Sequence, residues 1–240
     1  MNKYIPIIKT GEAEIKALEE SPFMSANDDI IPLIELTRGR KKTTKLENGS
    51  MLVKFPYEKR LDKLKKIFKD SNVALDLTSD PDLLSEEIYE LYSPLNGYEK
   101  WITFLRQLKE EKCFKKIIPA ILFNWDDGDK NLISNVNSEI IKLCEEYDSV
   151  LYSCELDSKD CYEELPVIRN SLRNNCSLWV LIDAGYLQYG MEKSATEVFV
   201  ARINNFKKIL EGCDYHIIVS STSFPNNVTE YGEKETDTIK

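Results

Sequence analysis

Seven short apolar runs, rich in β-branched residues, alternate with helical patterns along this chain of 240 residues. Each run has the length of a β-strand, and strands separated by helices are typical of the βαβ units that build a parallel sheet. Because such strands are buried on both faces, they read as nearly continuous apolar sequence, as these do. The predicted strands are Tyr4–Lys9, Ile30–Leu36, Asn72–Leu77, Lys116–Asn124, Val150–Leu156, Leu178–Ala184 and Tyr215–Ser221.

Two α/β architectures fit this alternation, and polar residues at the strand ends distinguish them. A doubly wound sheet usually has a glycine-rich first turn, whereas the first predicted strand is followed by Thr10-Gly11-Glu12. A (β/α) barrel places polar side chains at the carboxyl ends of many strands. The polar residues at these ends are Lys9, Glu35, Asp76, Asn124, Glu155, Asp183 and Ser220–Ser223. The sequence therefore predicts a TIM-like (β/α) barrel.

The predicted barrel is incomplete at its C-terminal side. After the seventh strand only residues 224–240 remain, which is too little for a further helix, an eighth strand and its helix. The predicted organisation is a barrel-like domain over residues 1–225 and a polar tail over residues 226–240. Because an open strand edge invites aggregation, we expect residues 224–240 or a second copy of the chain to cover it.

The strand-end residues are the candidate catalytic group. Oxygen ligands of this kind suit Mg²⁺ or Mn²⁺, and Glu35, Asp76 and Asp183 are the predicted metal ligands. A nearby lysine can serve as a base or stabilise charge, and clustered carboxylates raise one another's pKa. The structural alternative is that these charges pair with one another to close the end of the barrel. The predicted catalytic residues are Lys9, Glu35, Asp76, Asn124, Glu155 and Asp183.

Positive charge is concentrated in one segment of an acidic chain. The net charge is −9, yet residues 38–69 contain twelve basic and three acidic residues. The acidic balance argues against a general nucleic-acid binder. Four cations lie in a loop directly after the second strand and predict a site for phosphate or another anion. They are Arg38, Arg40, Lys41 and Lys42.

Several function classes are disfavoured by composition. The six cysteines show no C-x-x-C spacing, and a single histidine argues against a histidine-based zinc site or a Ser-His-Asp triad. No apolar run approaches the ~20 residues that span a bilayer, and the N-terminus lacks the features of a signal peptide. We therefore expect a cytoplasmic protein without a membrane partner.

Short motifs in the strands resemble the Beta protein family of phages and bacterial mobile elements. They are Tyr4-Ile5-Pro6-Ile7-Ile8-Lys9-Thr10 with Glu12, Ile31-Pro32-Leu33-Ile34-Glu35-Leu36, Leu75-Asp76-Leu77, Ile182-Asp183 and Ser221-Thr222-Ser223-Phe224-Pro225. The resemblance extends from residue 4 to about residue 225. The founding member of that family is described as countering a phage-encoded killer protein, Gop. The resemblance therefore implies a role in host–phage conflict, with a toxin or defence component as protein partner.

Three functions stay open from the sequence. The first is an antidote or antiphage protein that works through protein–protein contact. The acidic surface outside residues 38–69 could meet a basic partner, and the exposed barrel edge is a candidate docking site. The second is a divalent-metal-dependent enzyme acting on a phosphorylated or nucleotide-like substrate, with the carboxylates on the metal and the basic loop on phosphate. The third is a degenerate barrel retained as a scaffold. Homo-oligomerisation fits any of them.

Overall fold

The computed structural model describes residues 3–20, 29–46, 48–125 and 131–222. The chain divides into two compact units, a first unit of Met1–Leu151 and a second unit of Tyr152–Lys240. The predicted tail over residues 226–240, and the edge protection expected from it, lie outside the described residues.

Nine strands and seven helices make up the described fold. The strands are β1 (Ile7–Lys9), β2 (Leu33–Leu36), β3 (Lys42–Lys45), β4 (Met51–Lys54), β5 (Asn72–Leu77), β6 (Lys116–Pro119), β7 (Ser149–Glu155), β8 (Ser177–Tyr186) and β9 (Tyr215–Thr222). The helices are α1 (Glu12–Glu20), α2 (Glu58–Ile67), α3 (Glu86–Tyr89), α4 (Leu95–Glu110), α5 (Leu132–Glu146), α6 (Cys161–Ser171) and α7 (Glu192–Ile209). All seven predicted strands are present, several of them shorter than the apolar run that predicted them.

The main sheet of the first unit has the strand order β1-β2-β5-β6, and every neighbouring pair is parallel. Its central strands are buried, with Ile34 and Leu75 fully enclosed and directly opposite each other in the register. Burial of an aliphatic side chain of this size contributes roughly 1.5–3 kcal/mol, so these strands form the core that fixes the strand ends.

A second sheet has three strands in the order β7-β8-β9, and β8 and β9 belong to the second unit. Strands β8 and β9 run parallel, from Leu178 opposite Tyr215 to Asp183 opposite Ser220. The α/β class with parallel strands is thus confirmed. A closed barrel requires an unbroken ladder of paired strands, and among the described residues no pairing joins β1 to β9. The structure therefore shows parallel α/β sheets without closure.

An antiparallel hairpin of β3 and β4 interrupts the parallel pattern and was not predicted from the strand runs. All eight of its strand residues are exposed, so no alternation between buried and exposed positions marks it. Asn48-Gly49 in the connecting turn is the local signal that could have revealed it, since this dipeptide favours tight hairpin turns. The Asn48 side chain accepts hydrogen bonds from the Ser50 amide and hydroxyl, and Gly49 has φ of +82°.

Helix α4 packs its aromatic residues beneath the end of the main sheet. Trp101 is fully buried and donates its indole N–H to the Ala120 carbonyl at 3.0 Å. The start of this helix is irregular, because Asn96, Gly97 and Tyr98 have left-handed backbone angles. A side chain at Gly97 would lie 2.6 Å from the Ser138 hydroxyl, so glycine is required at that position. The irregular turn brings the buried Tyr98 towards the residues that follow β6.

Candidate functional site

Three predicted site residues lie in a row across neighbouring strands of the first unit. Lys9 is opposite Glu35, and Glu35 is opposite Asp76 in the parallel register. Paired positions of parallel strands point to the same face of a sheet, so these side chains share one face near the strand ends. We call Lys9, Glu35 and Asp76 the strand-end row.

The lysine of the strand-end row is placed between two carboxylates. Its Nζ lies 4.0 Å from Glu35 Oε1 and 3.8 Å from Asp80 Oδ2. Asp76 accepts a hydrogen bond from the Leu77 amide at 2.8 Å. The structural alternative considered from the sequence, pairing of Lys9 with Glu35, is therefore present, at a distance that leaves both groups able to contact a ligand.

Tyr92 adds a buried hydroxyl to this site. It donates to the Leu77 carbonyl at 2.7 Å. Burial raises the pKa of Tyr92, and the negative charges of Asp76 and Glu35 raise that pKa further. The phenol is consequently kept protonated and acts as a hydrogen-bond donor beside the carboxylates.

Glu139 on α5 is a fully buried acid that the sequence analysis missed. Both of its carboxyl oxygens are within 3.2–3.3 Å of the Leu122 amide, which donates to them. Burial raises the pKa of Glu139 well above its usual range, although the Leu122 amide favours the charged form, and the charge of Asp76 raises the pKa further. A signal was available, because Glu139 interrupts the apolar stripe between Val136 and Leu143. The site therefore combines the strand-end row with an acid that favours its protonated form.

Asn124 is hydrogen-bonded to Tyr98 and Tyr92 through its backbone and its side chain. Its amide donates to the Tyr98 hydroxyl at 3.0 Å, and its Nδ2 donates to the Tyr92 carbonyl at 3.3 Å. These bonds hold the segment after β6 against the turn that carries Tyr92. Asn124 is thereby brought to the first unit's site, with its side-chain N–H engaged by the protein.

The remaining two predicted catalytic residues belong to the second unit. Glu155 ends β7 and is exposed. Asp183 lies in β8 opposite Ser220 and accepts a hydrogen bond from the Gly185 amide at 3.1 Å. The structure thus brings together Lys9, Glu35, Asp76 and Asn124 within one unit and places Glu155 and Asp183 in the other.

A metal centre is not assembled by the described side chains. No group of three or more histidine, cysteine, aspartate or glutamate residues within residues 3–20, 29–46, 48–125 and 131–222 is arranged to hold a metal ion. In the first unit, Glu35 lies beside Lys9 and Asp76 is bonded to a backbone amide. The assignment of Glu35, Asp76 and Asp183 as Mg²⁺ or Mn²⁺ ligands stays a prediction.

The four predicted anion-binding cations divide into one that is anchored and three that are exposed. The Arg38 guanidinium lies 5.0 Å from the centre of the Phe55 ring, and its carbonyl accepts a bond from Arg60 at 2.6 Å. Arg40, Lys41 and Lys42 are exposed at the base of the β3–β4 hairpin. The exposed three can contact an anion, whereas Arg38 contributes to the attachment of the hairpin.

The β3–β4 hairpin presents apolar and basic side chains together. Met51, Leu52 and Val53 are 59%, 39% and 42% exposed. Lys42 and Lys54 lie directly opposite each other, although like charges in a cross-strand pair are destabilising. We call the strand residues of this hairpin, Lys42–Lys45 and Met51–Lys54, the hairpin surface. The hairpin surface therefore exposes apolar side chains beside closely spaced like charges.

We predict that replacing Lys9 with methionine changes the free energy of unfolding by less than about 1 kcal/mol, because ion pairs of partly exposed groups contribute little. The measurement is urea unfolding of wild type and K9M at neutral pH. A much larger loss of stability would show that Lys9 is a structural residue. With a small loss, any change in ligand or partner binding by K9M can be assigned to the site itself.

No helix in the described part of the chain is both long enough and apolar enough to cross a membrane.

Comparison with known proteins identifies the family. The model of the Beta protein family matches residues 4–240. Protein beta of Enterobacteria phage P4 is 25% identical over 231 residues, which are 95% of this chain and 57% of the phage protein. The chain therefore spans a little over half the length of that relative.

Among solved structures, a chain of the tryptophan synthase a2b2 complex from Pyrococcus furiosus is similar, with a TM-score of 0.47 and 13% identity. The similarity covers 98% of this chain and 92% of that chain. The family match extends through the strands that carry the sequence motifs, and it confirms the resemblance drawn from them: the chain belongs to the Beta protein family.

Proposed function

We propose that this Beta-family chain acts in host–phage conflict by binding a protein partner, and that the hairpin surface makes the contact. The observation that carries the proposal is the exposure of three consecutive apolar residues, Met51–Val53, on a hairpin whose strand residues all face solvent. Exposed apolar side chains stabilise a complex when a partner removes them from water, at roughly 25 cal/mol for each Å² buried.

The charge of the hairpin indicates the chemistry of its partner. Lys45 lies opposite Met51, Lys42 lies opposite Lys54, and the exposed Arg40 and Lys41 precede β3. A partner surface with complementary negative charge would bind faster and in a defined orientation. The two-stranded sheet also pairs with no third strand among the described residues, so a strand of the partner can extend it by backbone hydrogen bonding. We propose a killer protein of the Gop type with an acidic strand as the partner.

Co-expression in bacteria tests this function. We expect the wild-type chain to protect growth against Gop. The variant M51S/L52S/V53S removes the apolar part of the hairpin surface, and we expect it to lose that protection. Because the three residues are exposed, the fold should be retained, as circular dichroism and a thermal melt will show.

A matched control is available in the second unit. Met191, Val198 and Val200 are 47%, 46% and 52% exposed, close to the values of the hairpin residues. The variant M191S/V198S/V200S should protect as well as wild type. Full protection by the hairpin variant, or equal loss in both variants, would contradict a specific role of the hairpin.

A second candidate function is a divalent-metal-dependent enzyme acting on a phosphorylated or nucleotide-like substrate. The observation that favours it is the combination of the strand-end row with the buried Glu139 and the Tyr92 hydroxyl, since acids held in different protonation states can divide acid and base roles. Titration with Mn²⁺ followed by paramagnetic resonance tests it. Binding that D76N abolishes would support this function, and no binding by wild type would exclude the proposed metal dependence.

A further inference from the structure

Exposed cations are concentrated on two adjoining elements of the first unit, the β3–β4 hairpin and α2. None of them forms an ion pair with a residue that the structure describes, whereas other lysines of the first unit do, as Lys65 with Glu111 at 3.1 Å and Lys142 with Glu99 at 2.8 Å. We call these exposed cations the basic surface. They are Arg40, Lys41, Lys42, Lys45, Lys54, Lys59 and Lys66.

The hairpin part of the basic surface has lysines on both of its faces. Lys42 lies directly opposite Lys54, and Lys45 lies opposite Met51. Because side chains alternate between the two faces of a strand, Lys42 and Lys54 share one face and Lys45 is on the other. Like charges directly opposite each other destabilise a strand pair. A ligand with several negative charges would offset this repulsion.

Helix α2 extends the basic surface. Lys59 and Lys66 are seven residues apart, which is about two turns, so they lie on the same side of the helix. The opposite side contains Leu61 and Leu64, which are buried. The lysines of α2 are thus directed away from the core of the first unit, as those of the hairpin are.

Two hydrogen bonds attach the hairpin to the rest of the first unit. The Arg60 guanidinium, in the first turn of α2, donates to the Arg38 carbonyl at 2.6 Å. The Gly39 amide donates to the Phe55 carbonyl at 3.0 Å and closes the base of the hairpin. The two parts of the basic surface are therefore held beside each other, and a single extended ligand can contact both.

The shape of the basic surface favours a DNA duplex as that ligand. Duplex DNA has one negative charge for about each 1.7 Å of its axis, so it can meet cations on two elements at once. A two-stranded β-ribbon fits the major groove of B-form DNA, whereas the major groove of an RNA duplex is too narrow. Lysines on both faces of such a ribbon can reach the phosphates on both sides of the groove.

Single-stranded nucleic acid is bound largely by stacking of its bases on exposed aromatic side chains. Within residues 38–46 and 48–69 no aromatic side chain is exposed, since Phe55 and Tyr57 are half-buried and Phe68 is buried. This part of the chain therefore suits the phosphate backbone of a duplex and not unstacked bases.

We propose that the basic surface binds the phosphate backbone of double-stranded DNA, with the β3–β4 hairpin in the major groove. The net charge of −9 is compatible with this site, because residues 38–69 contain twelve basic and three acidic residues and the acidic remainder of the chain is repelled by DNA. The site shares lysines with the hairpin surface, so DNA and the proposed protein partner exclude each other. The proposal requires neither Met51–Val53 nor Gop.

Fluorescence anisotropy of the full chain with a short labelled DNA duplex, at several concentrations of KCl, tests this site. We expect the logarithm of the affinity to fall linearly with the logarithm of the salt concentration. The variant K42Q/K54Q should reduce the magnitude of that slope by about 2, because each phosphate contact contributes about 0.9. K59Q/K66Q should reduce it by a similar amount. A thermal melt of K42Q/K54Q should match or exceed that of wild type, because two opposed like charges are removed.

The matched control is K207Q/K208Q, which removes two exposed lysines from the last turn of α7 in the second unit. DNA binding that is weakened in K42Q/K54Q and K59Q/K66Q but not in K207Q/K208Q supports the proposal. No binding of wild type at low salt, or an equal loss in the control, would overturn it. Equally tight binding of a polyglutamate peptide or of anionic lipid vesicles would also overturn it. Because Gop is not used, the result is independent of the proposed protein partner.

Discussion

Glutamine in place of Glu139 is expected to remove a large part of the decrease in stability that the wild-type protein shows as pH rises above about 4. The carboxyl of Glu139 is fully buried, and burial raises its pKa well above that of the unfolded chain. Between the two pKa values the native state keeps a proton that the unfolded state has released. The free energy of unfolding therefore falls by about 1.4 kcal/mol for each pH unit in that range.

The sign of this effect is fixed by the raised pKa. The stabilising contribution of Glu139 is complete below the pKa of the unfolded chain and is lost as pH increases through the native pKa. Glutamine has no such proton and can still accept the Leu122 amide through its carbonyl oxygen. The difference between E139Q and wild type should therefore grow in favour of the variant with increasing pH.

Urea unfolding at pH values from about 5 to 8 measures this difference. Glu145 is on the same helix but exposed, so E145Q is the matched control and should follow wild type. If the free energy of unfolding of E139Q and of wild type changes with pH in parallel, Glu139 is charged in the native protein. The site would then contain no protonated carboxyl beside the ionised strand-end carboxylates.

Alanine in place of Gly39 is expected to detach the base of the hairpin. A Cβ at this position would lie 1.7 Å from the Pro56 carbonyl oxygen, a backbone atom that cannot rotate away. The Gly39 amide also donates a hydrogen bond to the Phe55 carbonyl at 3.0 Å. The backbone would have to move to make room for the Cβ, and this movement would break the hydrogen bond. Overpacking of this kind costs about 1–3 kcal/mol and occasionally more.

The matched control is alanine at Gly49, in the turn of the same hairpin. No atom lies within 4 Å of a Cβ at that position, although its φ of +82° disfavours a side chain. Strain alone should cost about 1–2 kcal/mol there and leave the base of the hairpin intact. Limited proteolysis within the hairpin and urea unfolding measure both variants. Equal proteolysis of G39A and G49A would contradict the anchoring role of Gly39.

The sequence was most informative where burial produces a continuous pattern. The strands around Ile34 and Leu75 were predicted because parallel strands covered on both faces contain uninterrupted apolar residues. The strand-end row followed from the same reasoning, since paired positions of neighbouring strands share a face. The register then places Lys9, Glu35 and Asp76 beside one another, as the carboxyl ends of parallel strands predict.

Other features depend on contacts that a periodic pattern does not encode. The β3–β4 hairpin has no buried face, so it lacks the alternation by which strands are predicted. Glu139 reads as a charged residue on a helix, and only the packing of α5 against the segment at Leu122 shows that it is buried. Closure of a barrel depends on pairing between strands far apart in the chain, and a series of strand-like runs does not determine it.

Direct binding of purified Gop to the purified chain is the most decisive measurement of the proposed function. Isothermal titration calorimetry with wild type, M51S/L52S/V53S and M191S/V198S/V200S, each at low and at physiological salt, compares the two matched apolar groups. We expect wild type and the second-unit control to bind alike and binding to weaken as salt rises. The hairpin variant should bind at least about tenfold more weakly. Equal affinity of the two variants, or no binding by wild type, would contradict the hairpin surface as the site for this partner.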